Sequence, residues 1–285
     1  MSSKKNKALD LMKTENLIDL FISEEQESIA LLKKEKNNIT KAVNLILNQM
    51  KRGGRTIYIG AGTSGRIGVL DAAETKPTFS TNLFHGVLAG GKNAFFNAKE
   101  GSEDNKKAAI KDLKKLKLNK NDILIGIAAS GETPYTVEAI KYAKKLRLNT
   151  IAITSNPGST LSKSSKISIS PYVAREIIQG SSRLKSGTLQ KIILNIISSV
   201  SMIKQGKVYE DLMIDVQPTN EKLVKRAIGI ISTICKVPLN IAKVLFLKAG
   251  KNIRVAIIMQ KKRCDLATAK SLLKKGNYSL RKIIG

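Results

Sequence analysis

The sequence has no tryptophan, one histidine and two cysteines among its 285 residues, and aromatic residues make up only 4% of it. Cys235 and Cys264 have no short metal-like spacing, which excludes a disulfide scaffold or a structural zinc site and leaves two free, buried thiols as the expectation. Scarce aromatics leave few faces on which single-stranded bases could stack. Acids are scarce too, 22 against 50 lysines and arginines, for a formal charge of +28. Such a balance ordinarily suggests nucleic acid. Here the lysines run along the whole chain among Ile and Asn, with no zinc finger, RNA-binding aromatic motif or heptad zipper, so a solvated basic surface is expected and nucleic acid is not an expected partner. Long apolar runs are missing as well. Polar residues interrupt every candidate well before the ~20 residues of a membrane span, and the basic start MSSKKNKALDLMKTE lacks the apolar stretch of a signal peptide. A cytoplasmic location without a membrane partner is expected.

What is present is a hydrophobic content of 42%, enough for a substantial core. Helical spacing of Leu17, Leu20, Ile29, Leu31, Leu32, Ile39, Val43, Ile46 and Leu47 predicts two helices over 16–51, broken near Lys36–Asn38 and stopped by Gly53 and Gly54. Short apolar strands then alternate with helices. Strands are predicted at 56–59, 84–90, 122–128, 150–154 and, more weakly, 166–170. Helices are predicted at 103–116, from the ASGETPYT turn to about 146, and at 182–204. This alternation implies an α/β fold with a mostly parallel sheet covered on both faces. The organisation expected is N-terminal helices over 1–51, a ligand-binding α/β unit over 52–220 and a small helical region over 221–285. Within the last, Ile253–Met259 is compatible with a strand or with a bundle helix. Met202, Met213 and Met259 read as core filling.

Ligands of open parallel sheets sit outside the carboxyl ends of the strands. Two such ends carry Gly60-Ala61-Gly62-Thr63-Ser64-Gly65-Arg66 and Ala129-Ser130-Gly131-Glu132-Thr133-Pro134. Glycine permits close backbone approach, helix starts offer free N–H groups for a phosphate, and the hydroxyls add donors. Gly180–Thr188 has the same character. Gly60, Gly62 and Gly65 match a dinucleotide spacing, but one nucleotide does not account for three hydroxyl-rich turns. Two acid-bearing segments flank the first turn: Leu70-Asp71-Ala72-Ala73-Glu74, placed at the end of the following helix, and Glu100-Gly101-Ser102-Glu103-Asp104. Each glutamate reads either as a surface helix-end carboxylate or as one of an acid–base pair. His85, inside a predicted strand, reads as a packed imidazole rather than a base. Arg66 reads as a surface ion-pair partner or a phosphate contact.

Taken together, GAGTSGRIGVLDAAE (60–74), EGSEDN (100–105), GIAASGETPYT (126–136), NPGS (156–159), GSSRLKSGTLQK (180–191) and GKVYEDLMIDVQPTNEKL (206–223) resemble the N-acetylmuramic acid 6-phosphate etherases of the sugar-isomerase (SIS) fold group. The resemblance covers about 40–285. It implies a three-layer sandwich around a five-stranded, mostly parallel sheet, a homodimer, and no metal or organic cofactor. It also implies removal of D-lactate from a phosphorylated amino sugar, N-acetylmuramate 6-phosphate, leaving N-acetylglucosamine 6-phosphate. By the same resemblance, Glu74 stands at the position of the acid that protonates departing lactate, and Glu103 at that of the second acid–base glutamate. The phosphate falls to Ser130, Thr133 and Ser64. Ser182, Arg183 and Lys185 fall to phosphate or the lactyl carboxylate.

The chain departs from the family pattern in four places. Ala73-Glu74-Thr75-Lys76-Pro77-Thr78 replaces Ser-Glu-Cys-Pro-Pro-Thr. Glu132 stands where Arg is common. Leu184 and Ser186 replace Met and Ala. The N-terminal stretch is reduced to Thr14-Glu15-Asn16 in a shorter, lysine-rich start. An aldose–ketose isomerase of the same fold, or a non-catalytic sugar-phosphate sensor, would share the phosphate turns.

Overall fold

The five expected strands form β1 (Thr56–Gly60), β2 (Phe84–Leu88), β3 (Ile123–Ile127), β4 (Asn149–Ile153) and β5 (Ile167–Ile169) in a computed structural model that describes residues 8–285. Residues 1–7 of the expected N-terminal unit lie outside the described residues. All four pairings are parallel, in the order β2-β1-β3-β4-β5. Every residue of β1 and β3 is buried, as a sheet covered on both faces requires. Alternation sends Tyr58, Ile125, Ile127, Ile151, Ile153 and Ile169 to one face and Ile57, Ile59, Leu124 and Ala152 to the other.

The first face is closed by α2 (Lys36–Met50), α3 (Gly62–Phe79) and α8 (Lys185–Lys204), through Ile39, Val43, Ile46, Phe79, Leu189, Ile193 and Ile197. The second is closed by α5 (Lys106–Lys115) and α6 (Pro134–Lys145), through Ala109, Leu113, Tyr135, Ala139 and Ile140. The result is the expected three-layer sandwich. α1 (Thr14–Ala30) precedes α2, and the break falls at Leu31–Glu35, slightly before the predicted place, because Lys36 already opens the second helix. Two short helices, α4 (Asn93–Phe96) and α7 (Thr160–Ser164), follow β2 and β4.

Two further boundaries differ from expectation. α3 does not end near Glu74 but continues through Pro77 to Phe79, where left-handed Ser80 stops it. α8 begins at Lys185 rather than Ser182. The Glu176 carboxylate accepts the N–H groups of Lys185 (2.9 Å) and Ser186 (3.0 Å), and so fixes the first turn from outside the helix.

After α8 comes a small antiparallel hairpin that the sequence did not foretell, β6 (Val208–Tyr209) with β7 (Leu212–Met213). The remainder is helical: α9 (Glu221–Cys235), α10 (Leu239–Lys248), α11 (Ile253–Lys262), α12 (Leu266–Lys275) and α13 (Leu280–Ile284). The ambiguous Ile253–Met259 is therefore helical. Asn252 caps it, accepting from the Val255 N–H at 3.0 Å. These helices share a core of their own around Ile231, Phe246, Ile257 and Leu273. Arg254, 5% exposed, joins that core to the rest of the chain. It pairs with Asp215 and donates to the carbonyls of Tyr278 and, at 2.9 Å, Gly206. Asp215 also binds Lys207 at 2.6 Å, and its carbonyl accepts from Ser80 at the end of α3.

Met202 is fully buried, and Met213 and Met259 pack against the C-terminal core. Cys235 and Cys264 are free thiols, half-buried rather than fully buried. Among the described residues no single helix is long and apolar enough to cross a membrane.

Candidate active site

The strand order reverses between β1 and β3, and the crevice outside their carboxyl ends is where an open α/β sheet accepts a ligand. GAGTSG leaves β1 there and ASGETP leaves β3. Gly65 must be glycine: a Cβ would lie 2.4 Å from the Gly60 carbonyl oxygen, so the start of α3 rests directly on the strand end. Gly131 has φ +70, and a Cβ there would lie 2.1 Å from Ser159 Oγ of the NPGS turn. The helices α3 and α6 open into this crevice with backbone N–H groups that no earlier turn can occupy. Ser64 is buried in the first turn of α3, while Ser130 is exposed. Ser130 Oγ accepts the Glu132 N–H at 3.2 Å. Thr133 is the N-cap residue of α6, but its hydroxyl makes no capping bond.

The third segment lies at the same end, since Gly187 sits within van der Waals reach of Thr63 and Ile67 of α3. Its chemistry differs from that of the other two. The first N–H groups of α8 are taken by Glu176, and buried Lys185 pairs with Glu24 of α1 at 2.7 Å. Ser182 and Arg183 are exposed just ahead of the helix.

Glu103 belongs to a single 3₁₀ turn, Ser102–Asp104, that packs against α6. It lines a cavity of about 440 Å³ with Ala61, Gly62, Arg66, Lys99 and Ser102. Arg66 is spent in part on the backbone of the cavity wall. It donates to the carbonyls of Phe95 (2.9 Å) and Ala94 (2.8 Å) and so holds α4 as one wall. Glu74 is elsewhere. It lies exposed on α3 twelve residues beyond Gly62, about 18 Å along the axis at a rise of ~1.5 Å per residue. Within one chain the two glutamates do not meet.

Glu132 accepts the Thr160 N–H at 2.8 Å at the start of α7. Its carboxyl is held below the usual range by that hydrogen bond and by Lys163. Asp71, in the same segment as Glu74, is buried. It accepts from Tyr58 (3.1 Å) and Ser198 (3.2 Å), joining α3, β1 and α8. Burial raises its pKa, against the hydrogen bonds of Tyr58 and Ser198 and the charge of Lys191. His85 sits second in β2, at the end of the sheet away from the crevice, and burial and Arg55 lower its basicity. Among the described residues no cluster of three or more potential metal ligands occurs.

Sequence reasoning passed over Lys99 and Ser102, which line the cavity, and Gln190. Gln190 is 2% exposed, and neither end of its carboxamide has a hydrogen-bond partner. It falls within the 180–191 segment, so a buried-polar reading of the α8 periodicity would have found it.

The glucokinase regulatory protein N-terminal SIS domain family matches residues 38–144. N-acetylmuramic acid 6-phosphate etherase of Francisella philomiragia is 46% identical over 94% of this chain and 92% of its own. The Clostridium beijerinckii protein of the same name is 42% identical over 97% and 91%. Among solved structures, a putative phosphosugar isomerase involved in capsule formation from Bacteroides fragilis superposes with a TM-score of 0.53 at 24% identity, covering 70% of this chain and 95% of its own. That likeness speaks for the fold.

Proposed function

The chain belongs to the N-acetylmuramic acid 6-phosphate etherase family, and from that premise we propose that Glu103 and Glu74 are its base and acid, supplied to each site by different subunits of a homodimer. The enzyme cleaves the D-lactyl ether of N-acetylmuramic acid 6-phosphate to N-acetylglucosamine 6-phosphate and D-lactate. The α/β unit, 52–220, binds the phosphosugar. Its phosphate rests on the starts of α3 and α6, with Ser64, Ser130 and Thr133 as hydroxyl donors. Ser182 and Arg183 face the lactyl carboxylate. Lys185, paired with Glu24, holds α1 against the start of α8.

In the opened sugar the aldehyde at carbon 1 acidifies the carbon 2 proton, which Glu103 removes. The enolate expels lactate from carbon 3 as Glu74 donates a proton. Water then adds to carbon 3, giving its proton to Glu74, and Glu103 returns a proton to carbon 2. Positioned proton transfers of this kind accelerate a step roughly 10²–10⁴-fold each. The phosphate anchors the substrate, so that binding energy away from the reacting carbons orients them.

One observation carries the reading: Glu103 lines a cavity against the first phosphate-binding turn, in a chain 46% identical to a named etherase. The separation of Glu74 from that cavity supports a shared site. So does α1. It has five acids and no basic residue, and it exposes Ile18, Ile22 and Ile29 at helical spacing. A groove of about 460 Å³ between α2 and α8 has a floor of Ile39, Val43, Ile196 and Val200 and a rim of Lys33, Lys36 and Lys204. The α1 helix of a second copy complements it in apolar character and in sign. A cytoplasmic location fits this chemistry. Glu132, standing where the family commonly has Arg, has its charge committed to the start of α7.

The test is run in heavy water, reading deuterium at carbon 2 and free lactate in parallel. Glu74→Gln is expected to stop lactate release while exchange survives. Glu103→Gln is expected to stop both. The opposite pattern reverses the roles, and parent-rate release by both variants removes these glutamates from the chemistry.

A further inference from the structure

The basic charge is less evenly spread than the sequence reading holds. Residues 1–51 carry nine lysines against seven acids, whereas residues 221–285 carry 16 Lys and Arg against two acids, Glu221 and Asp265. The net +14 of that last stretch is half the charge of the whole chain. Both acids stand at helix starts, Asp265 as the cap of α12 and Glu221 in the first turn of α9. None lies between 222 and 264, and of the basic groups only Arg254 is buried against a carboxylate.

The same region holds an unpartnered apolar helix face. On α10, Ala242, Phe246 and Ala249 just beyond it turn into the C-terminal core. The opposite arc exposes Leu239 (62%), Ile241 (44%), Val244 (47%) and Leu247 (55%). Lys243 and Lys248 lie exposed among them, and exposed Lys236 and Lys251 stand in the loops at either end. A nucleic-acid phosphate backbone would pair with these lysines but gain nothing from four branched aliphatic side chains. Another protein's apolar face would gain from the aliphatic groups but, without acids of its own, not from an uncompensated cluster of like charge. A bilayer with anionic headgroups meets both at once, the lysines at the phosphates and the aliphatic groups at the acyl boundary.

We propose that the outer face of α10, with its four flanking lysines, docks the enzyme on an anionic phospholipid surface. The contact is peripheral. α10 has ten residues, about 15 Å, half of what a span needs. The face belongs to the C-terminal helices, none of whose residues lines the cavity of Glu103.

The experiment uses the full-length protein and co-sedimentation with vesicles of phosphatidylserine and phosphatidylcholine, with pure phosphatidylcholine as control. Binding is expected to the anionic vesicles alone and to fall as salt rises. Lys243→Gln and Lys248→Gln should each weaken it about fivefold. Val244→Ser with Leu247→Ser should weaken it further at unchanged charge. Because all four positions are exposed, lactate release in solution should stay at the parent rate. No binding to anionic vesicles overturns the proposal. So does binding indifferent to the Val244 and Leu247 changes, which marks a bare polycation. So does tighter binding to a DNA duplex at the same salt, or conversion of a dimer to a monomer by the α10 variants, which marks a subunit contact.

Discussion

Two buried aspartates show how one residue type acquires opposite behaviour from its surroundings. Asp122 is fully buried, which raises its pKa. Arg55 grips it through side chain (2.6 Å) and backbone (2.7 Å), Asn119 donates twice more, and together these donors bring the pKa below the ordinary value. The unfolded chain then binds the proton more readily than the folded one. Asp122 therefore stabilises the fold above its unfolded pKa, and that stabilisation is lost as pH falls through its folded pKa. Asp71 has the reverse sign. Its raised folded pKa means a contribution present below the unfolded value and lost as pH rises through the folded one. Urea unfolding across the acid range should therefore show Asp122→Asn flattening the low-pH decline and costing about 3 kcal/mol at neutral pH, because Arg55 loses its partner. Asp71→Asn should remove a fall in stability as pH rises. Equal pH profiles for the two variants would contradict these assignments. Neither behaviour is legible in sequence, where both residues are simply acids beside apolar neighbours. The EGSED context singles out Glu103, which lines the cavity, but that Arg66 binds the carbonyls of Ala94 and Phe95 depends on how the loop after β2 folds back.

At the scale of elements, the strands could be read to within a residue or two because their apolar runs are short and end in glycine or hydroxyl-rich turns. The start of α8 could not, since its cap, Glu176, comes from outside the helix. The end expected for α3 near Glu74 does not occur either, since the helix continues through Pro77 to Phe79. Ile253–Met259 lacked a decisive period, and its neighbours in the C-terminal core made it a helix. The element that matters most for the proposed assembly is α1, whose apolar stripe is visible in sequence but whose proposed groove is not, because α2 and α8 are far apart along the chain. Ile22→Asp leaves the fold intact, the side chain being 53% exposed. Placed in a dry subunit contact, an unpaired carboxylate costs about 2 kcal/mol or more, so the dimer dissociation constant should rise at least about thirtyfold. Sedimentation velocity at micromolar protein checks it. An unchanged sedimentation coefficient would remove α1 from the interface.

At the scale of the whole molecule, the proposed phosphate site at the head of α3 and Glu74 near its tail stand about 18 Å apart. In the proposed dimer such a helix would serve two reaction centres at once, and the consequence is genetic as well as chemical. Alleles carrying Glu74→Gln and Glu103→Gln, each inactive alone, should complement one another in the same cell. With random pairing of subunits, half of the dimers are mixed, and each mixed dimer has one site with both native glutamates. Co-expression should therefore restore about a quarter of the parent lactate release. A double-variant allele should poison a native one, because a mixed dimer of that pair has no site with both glutamates. Recessive behaviour of the double variant, or no rescue between the single variants, would return both glutamates to one chain. The length of a single helix thus decides whether mutations at this locus are inherited as independent losses or as partners.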